Sequence, residues 1–148
     1  MTDAKASGLP LARLINRAGN VVSASGSSVT YAVMELGGNL NSRLNALLVD
    51  GASDNVWPLT GYSYFLIRTN THLGSCDERK AAMKFLYNFY YSYAVTEIAL
   101  TLDYATLPGF IRNIVVSKLV NSAKCSTGEY ALAQYMHCLL YTSDAADE

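Results

Sequence analysis

Tyr62-Ser63-Tyr64-Phe65-Leu66-Ile67-Arg68 follows directly on Asn55-Val56-Trp57-Pro58-Leu59 and is the densest aromatic and aliphatic run of the chain. Aromatic and β-branched residues suit a pleated surface. A near-continuous apolar run fits a strand covered on both faces, as in the central sheet of an α/β domain. The sequence thus predicts a buried strand over 62–68 and an α/β fold. Just upstream, Leu44 to Val49 reads as a β-like run that ends at Asp50-Gly51. Farther back, Leu11, Leu14, Ile15, Val21 and Val22 flank Arg17-Ala18-Gly19-Asn20, which reads as short extended segments about a glycine turn. Ala4 to Gly8 reads as a short helix broken by Gly8-Leu9-Pro10.

Helices dominate the second half. Ser75-Cys76-Asp77-Glu78 fits a capping box, with serine at the N-cap and glutamate at the third helical position. The helix it opens places Ala82, Phe85, Leu86, Phe89 and Tyr93 on one stripe, with Lys80, Lys84 and Asn88 largely off it. Thr96 to Leu102 reads as a second helix. Pro108-Gly109 opens a third, with Ile111, Ile114, Val115 and Leu119 facing inward. In the first half, Ser25-Gly26-Ser27-Ser28 leads into a helix with Val29, Ala32, Val33 and Leu36 on one face, stopped by Gly37-Gly38.

Composition narrows the function classes. The 148 residues are 51% hydrophobic and 16% charged, which is a globular balance rather than a disordered one. A net charge of −1 without clustered Lys or Arg gives no electrostatic reason to expect nucleic acid. The longest apolar region, Met83 to Leu102, is interrupted by Lys84, Asn88, Ser92 and Glu97, so no membrane span is predicted. No apolar signal segment follows Met1. His72 and His137 are isolated, and no His, Cys and Asp cluster has metal-ligand spacing. Asp77 and Glu78 suit the first turn of a helix, where the dipole favours acids. No nucleophile-elbow pattern is present, so an enzyme is not expected, nor a cofactor. Tyr87, Tyr90, Tyr91 and Tyr93 read as packing residues, because basic residues do not interleave with them.

The last eleven residues, Cys138-Leu139-Leu140-Tyr141-Thr142-Ser143-Asp144-Ala145-Ala146-Asp147-Glu148, resemble the translation of a sequencing-library transposase adapter. Residues 1–137 are accordingly expected to be a partial domain and 138–148 to lie outside it.

A family resemblance rests on an ordered set of motifs. Trp57-Pro58-Leu59-Thr60 enters the apolar run Tyr62–Ile67, Lys84-Phe85-Leu86 lies in the next helix, and Leu102-Asp103-Tyr104-Ala105-Thr106-Leu107-Pro108 precedes the last one. With Gly8-Leu9-Pro10-Leu11-Ala12 and Ile15-Asn16-Arg17-Ala18-Gly19-Asn20-Val21-Val22 upstream, this order resembles the phosphate-binding proteins of ABC-type phosphate importers. The resemblance covers Ala4 to Cys125 and departs at Ala24, where the family commonly has proline. It implies a two-lobed, type II periplasmic-binding-protein fold closing like a hinge on its ligand, with this chain mainly completing the first lobe. It further implies a parent protein that binds inorganic phosphate, is periplasmic or extracellular, and presents its ligand to importer membrane subunits. The alternative is an extracellular ligand-binding or sensor domain of a eukaryotic membrane protein, with its own transmembrane region.

The family's ligand loop reads Arg-x-Asp-Gly-Ser-Gly-Thr. Here Ser25, Ser27 and Ser28 are weak candidates for an anion site, but Val22-Ser23-Ala24 stands where the Arg and Asp would be. An ordinary helix cap is the competing reading. No phosphate ligand is carried over. Eukaryotic extracellular relatives carry a cysteine pair in places similar to Cys76 and Cys125. The resemblance thus implies a disulfide between them, with two buried thiols as the other reading.

Overall fold

A computed structural model describes Ala4, residues 6–69 and residues 74–133. His72, His137, Cys138 and the adapter-like tail lie outside these residues. The architecture mixes α and β, with helix far outweighing strand. The elements are β1 (Arg13–Ile15), β2 (Val21–Ser23), α1 (Gly26–Leu36), α2 (Cys76–Tyr91), α3 (Tyr93–Thr101) and α4 (Gly109–Ser122). The chain forms two compact units, Met1–Tyr64 with Tyr93–Arg112, and Phe65–Ser92 with Asn113–Glu148.

In the first unit, β1 and β2 form an antiparallel hairpin in which Leu14 faces Val22. Gly19 occupies the left-handed region at φ +86°, which glycine adopts without a Cβ clash, and so turns the chain. Upstream, the Leu9 N–H donates to the Ala4 carbonyl and Gly8 is left-handed at φ +66°, the expected break before Pro10. Helix α1 starts at Gly26, earlier than the apolar face alone suggests, because the polar run is itself the cap. Its buried residues are Ser28, Ala32 and Val33. Gly37 ends it, packed so closely that a Cβ there would meet the Ile111 side chain at 2.6 Å. The Tyr62 hydroxyl, also against Gly37, is buried without a hydrogen-bond partner. Leu48, Val56 and Ile111 complete the apolar interior of this unit.

The second unit has a clearer core. Met83 and Leu86 of α2 pack with Val116, Leu119 and Val120 of α4, and with Ala123, Ala131 and Leu132 beyond it. Tyr87 and Tyr90 flank the cluster. Ser75 and Glu78 form the expected reciprocal cap of α2: the Glu78 N–H donates to Ser75 Oγ at 3.1 Å, and the Ser75 N–H to Glu78 Oε2 at 2.8 Å. After α4 the chain folds back through a single antiparallel bridge, Lys124 to Tyr130, with Gly128 left-handed at φ +87°.

Four expectations are corrected. Tyr62–Arg68 is not a strand in a sheet: it has no regular secondary structure, and Leu66 is 97% exposed. High β-propensity becomes a strand only where a neighbour completes the hydrogen-bond ladder, and among the described residues the one sheet is the β1–β2 hairpin. Leu44–Val49 is likewise irregular. The Asn41 side chain accepts from the N–H groups of Arg43 and Asn45 and captures the chain in a turn, with Leu44 left-handed at φ +62°. Helix α2 is rotated from the expected stripe. Met83 and Leu86 are its buried residues, whereas Ala82 is exposed and Phe85 is 65% exposed. In α4, Ile111 and Leu119 are buried as expected, but Ile114 is exposed and Val116 and Val120 are buried in its stead, since the second half of the helix follows the α2 partner it meets rather than its own most apolar line.

Candidate functional site

A polar cleft of about 390 Å³ lies at the N-terminus of α1, lined among others by Asn20, Ser25, Ser27, Tyr31, Asp54 and Asn55. Three local devices build it. The first is the cap itself. The Ser28 N–H donates to Ser25 Oγ at 3.1 Å and the Ser25 N–H to Ser28 Oγ at 3.0 Å, the reciprocal arrangement that satisfies two backbone donors at once. The Ser28 hydroxyl reaches the carbonyls of Ser23 at 2.9 Å and Ser25 at 3.0 Å. It is buried and committed to the fold. Ser27 is exposed, with its hydroxyl 3.0 Å from that of Ser25.

The second device is Asn16, a buried residue in the hairpin turn. Its Oδ1 accepts from the Asn20 N–H at 3.0 Å and holds the turn closed. Its Nδ2 donates to the Asp54 carbonyl at 2.7 Å and lies 3.3 Å from those of Ser53 and Val56. A single amide thus joins the hairpin to the loop that carries Asp54 and Asn55.

Glu35, on the last turn of α1, is the third. Its carboxylate accepts from the N–H groups of Ala52 at 2.6 Å and Ser53 at 3.0 Å. A hydrogen bond from the Ser53 side chain, followed by those two backbone donors, holds the carboxyl below its ordinary pKa. The loop 51–56 is therefore gripped through its N–H groups by Glu35 and through its carbonyls by Asn16.

The structure thus brings Ser25, Ser27 and Ser28 together around one helix terminus. Their hydroxyls are largely occupied by one another and by backbone. Among the described residues no Lys or Arg lines the cleft, and Asp54 contributes a carboxylate. An anion arriving there would meet the free N–H groups of the first turn, which favour it, and an acidic side chain, which does not. The arrangement fits the helix-cap reading and supplies little charge for a phosphate dianion. Sequence reading missed Asn16, Asp54 and Asn55. Only the Asn16–Asn20 spacing around Gly19 gave a local signal for the first, and nothing local marks the other two, which are positioned from Asn16 and Glu35.

Cys76 and Cys125 are joined by a disulfide, with Cα atoms 5.2 Å apart. It fastens the first turn of α2 to the bridge after α4. Lys80, one turn along α2, pairs with Glu129 on the same bridge at 2.8 Å. Arg79 donates to the carbonyls of Arg68 and Thr69. Among the described residues no group of three or more His, Cys, Asp or Glu residues is placed to hold a metal ion. No described helix is long and apolar enough to cross a membrane. No protein-family profile matches this sequence, and no curated protein matches it either.

Proposed function

We propose that the chain is part of an extracytoplasmic solute-binding protein of the periplasmic-binding type, whose intact parent binds inorganic phosphate for uptake through an ABC importer. In this reading residues 1–137 supply scaffold of the first lobe and not the ligand contacts. The carrying observation is the order of motifs, from Ile15–Val22 through Trp57–Ile67 and Lys84-Phe85-Leu86 to Tyr104–Pro108. Two features support it. A disulfide linking Cys76 to Cys125 suits an oxidising compartment, since the cytosolic thiol pool keeps such pairs reduced. The α1 terminus, without an Arg and with its hydroxyls used in capping, is consistent with ligand residues located elsewhere in the parent.

The test is calorimetric titration with inorganic phosphate of the protein expressed with its upstream coding sequence, beside the same titration of the 148-residue chain. The reading expects saturable binding by the longer protein, undiminished by sulfate, and no heat of binding from the shorter one. Micromolar binding by the 148-residue chain would place the ligand residues here and overturn the scaffold assignment. Failure of the longer protein to bind would overturn phosphate as the ligand.

A second reading keeps the fold and changes the role to an extracellular sensor domain of a eukaryotic membrane protein. The disulfide and the tyrosines of α2 favour it. A transmembrane segment encoded downstream would decide for it.

A further inference from the structure

The cleft beside α1 is lined by hydrogen-bonding side chains that the fold itself does not use. Among the described residues, the Asp54 carboxylate, the Asn20 and Asn55 amides and the Tyr31 hydroxyl have no hydrogen-bond partner. The main chain around them is nevertheless fixed. The Asn20 N–H donates to Asn16 Oδ1, and the Asp54 carbonyl accepts from Asn16 Nδ2. Glu35 holds the same loop through Ala52 and Ser53. Two polar grips thus hold a loop whose own side chains at 54 and 55 stay unspent, and all of these residues belong to the first unit. Groups held in place before a ligand arrives lose little entropy in binding it.

The donors and acceptors of the wall select the ligand class. The Asp54 carboxylate only accepts, whereas the amides of Asn20 and Asn55 and the hydroxyls of Ser27 and Tyr31 both donate and accept. An ammonium ligand brings donors alone and leaves the amide and hydroxyl donors unanswered. A phosphate dianion brings acceptors alone and meets the Asp54 carboxylate, with no Lys or Arg among the described lining residues. A divalent metal finds no group of three ligating side chains among the described residues. A polyol donates and accepts at every hydroxyl, and so answers all of these groups. Tyr31 is half exposed, which leaves its ring as an apolar platform for the C–H face of a sugar ring. The cleft volume of 390 Å³ falls in the range of about 300–1,000 Å³ usual for small-ligand clefts, toward its smaller end. We infer that the cleft binds a neutral polyhydroxylated ligand of the saccharide class, as one sugar unit. Asp54 accepts from adjacent hydroxyls, Asn20 and Asn55 bond those that flank them, and Tyr31 covers the ring. The inference does not rest on the phosphate reading, which places the phosphate contacts outside this chain.

The test is titration of the full 148-residue chain with methyl α-D-glucopyranoside, methyl β-D-galactopyranoside and myo-inositol, followed through its backbone amide NMR shifts. Saturable shifts centred on Asn20, Ser27, Asp54 and Asn55 are expected with at least one of the three. Asp54→Ala and Tyr31→Ala each remove a side chain exposed in the free protein, and each is expected to weaken binding by about tenfold. Should either variant disturb amides throughout the first unit, Asn55→Ala takes its place with the same expectation. No saturable shift with any of the three probes overturns the proposal. So does binding that survives the substitutions, which would assign it to another surface. Saturation of the same amides by ethylammonium or inorganic phosphate but by none of the polyols overturns it too, in favour of a charged ligand.

Discussion

The two units are held together by different means. In the second, Met83, Leu86, Val116, Leu119, Val120 and Leu132 form a contiguous apolar cluster, closed covalently by Cys76–Cys125. In the first, the apolar interior is thinner, and the loops are held by polar grips: Asn16 on three carbonyls, Glu35 on two N–H groups, and Ser25 with Ser28 at the helix start. Apolar burial is roughly proportional to area and indifferent to direction, whereas a buried amide such as that of Asn16 is worth its place only when every partner is present. The second unit should therefore answer to oxidation state and to cavities, and the first to single polar substitutions and to pH.

Reduction should separate the units most sharply. The disulfide closes a loop of sequence separation 49, which in the chain-entropy description is worth about 4 kcal/mol. Replacing Cys76 and Cys125 by Ser is expected to accelerate hydrogen exchange across α2 and the part of α4 in the second unit by a corresponding factor. The amides of α1 should keep their protection. Equal loss in both units would erase the distinction.

A smaller effect belongs to the first unit. Gly37→Ala drives a methyl toward Ile111 where 2.6 Å is available, and overpacking of this kind costs about 2–3 kcal/mol. Urea unfolding followed by the fluorescence of Trp57, the single tryptophan and a residue of this unit, is expected to show a lower midpoint at unchanged slope. An unshifted midpoint would mean that the Gly37 contact relaxes without cost.

Asn16→Ala strips the loop carbonyls of their donor while leaving them partly buried, a loss of about 1–2 kcal/mol. It should also free the Asp54–Asn55 wall of the cleft, read as faster exchange at Asn20 and at Val56. Stability equal to wild type would show that solvent replaces the amide.

The smallest effect is on acid titration. Glu35 is held below its ordinary value of 4.5 in the folded chain. Its contribution is therefore fully present above that pH and is lost as the pH falls through the depressed folded value. Glu35→Gln should flatten this part of the stability–pH curve of the first unit while leaving neutral-pH stability slightly reduced. An unaltered acid limb would remove Glu35 as the grip on Ala52 and Ser53.

Local signals in the sequence were sufficient where local chemistry decides structure. Ser75 with Glu78, Ser25 before α1, Gly37 after it and Gly19 in the hairpin all act within a few residues of themselves, and each marks its boundary. The expectation of a strand over 62–68 failed because propensity describes a preference that only a neighbouring strand can satisfy. The face of α2 was misplaced toward Phe85 because hydrophobicity alone does not say which side a partner occupies; α4 keeps the expected Leu86 and selects Met83 in place of Phe85. The cleft was half visible. Its serines stand together in sequence, but Asp54 and Asn55 arrive through Asn16 and Glu35, whose bonds span the sequence distances that single-chain patterns do not encode.

The functional account turns on what the gene encodes upstream of Met1. Sequencing the source locus across both ends of the reading frame is the most direct test. The account predicts a continuous upstream frame with a signal peptide, a first-lobe sequence and an Arg-x-Asp-Gly-Ser-Gly-Thr loop, and natural coding sequence continuing after His137 in place of the Cys138–Glu148 tail. A stop codon immediately before Met1, together with a genomic origin for that tail, would contradict it.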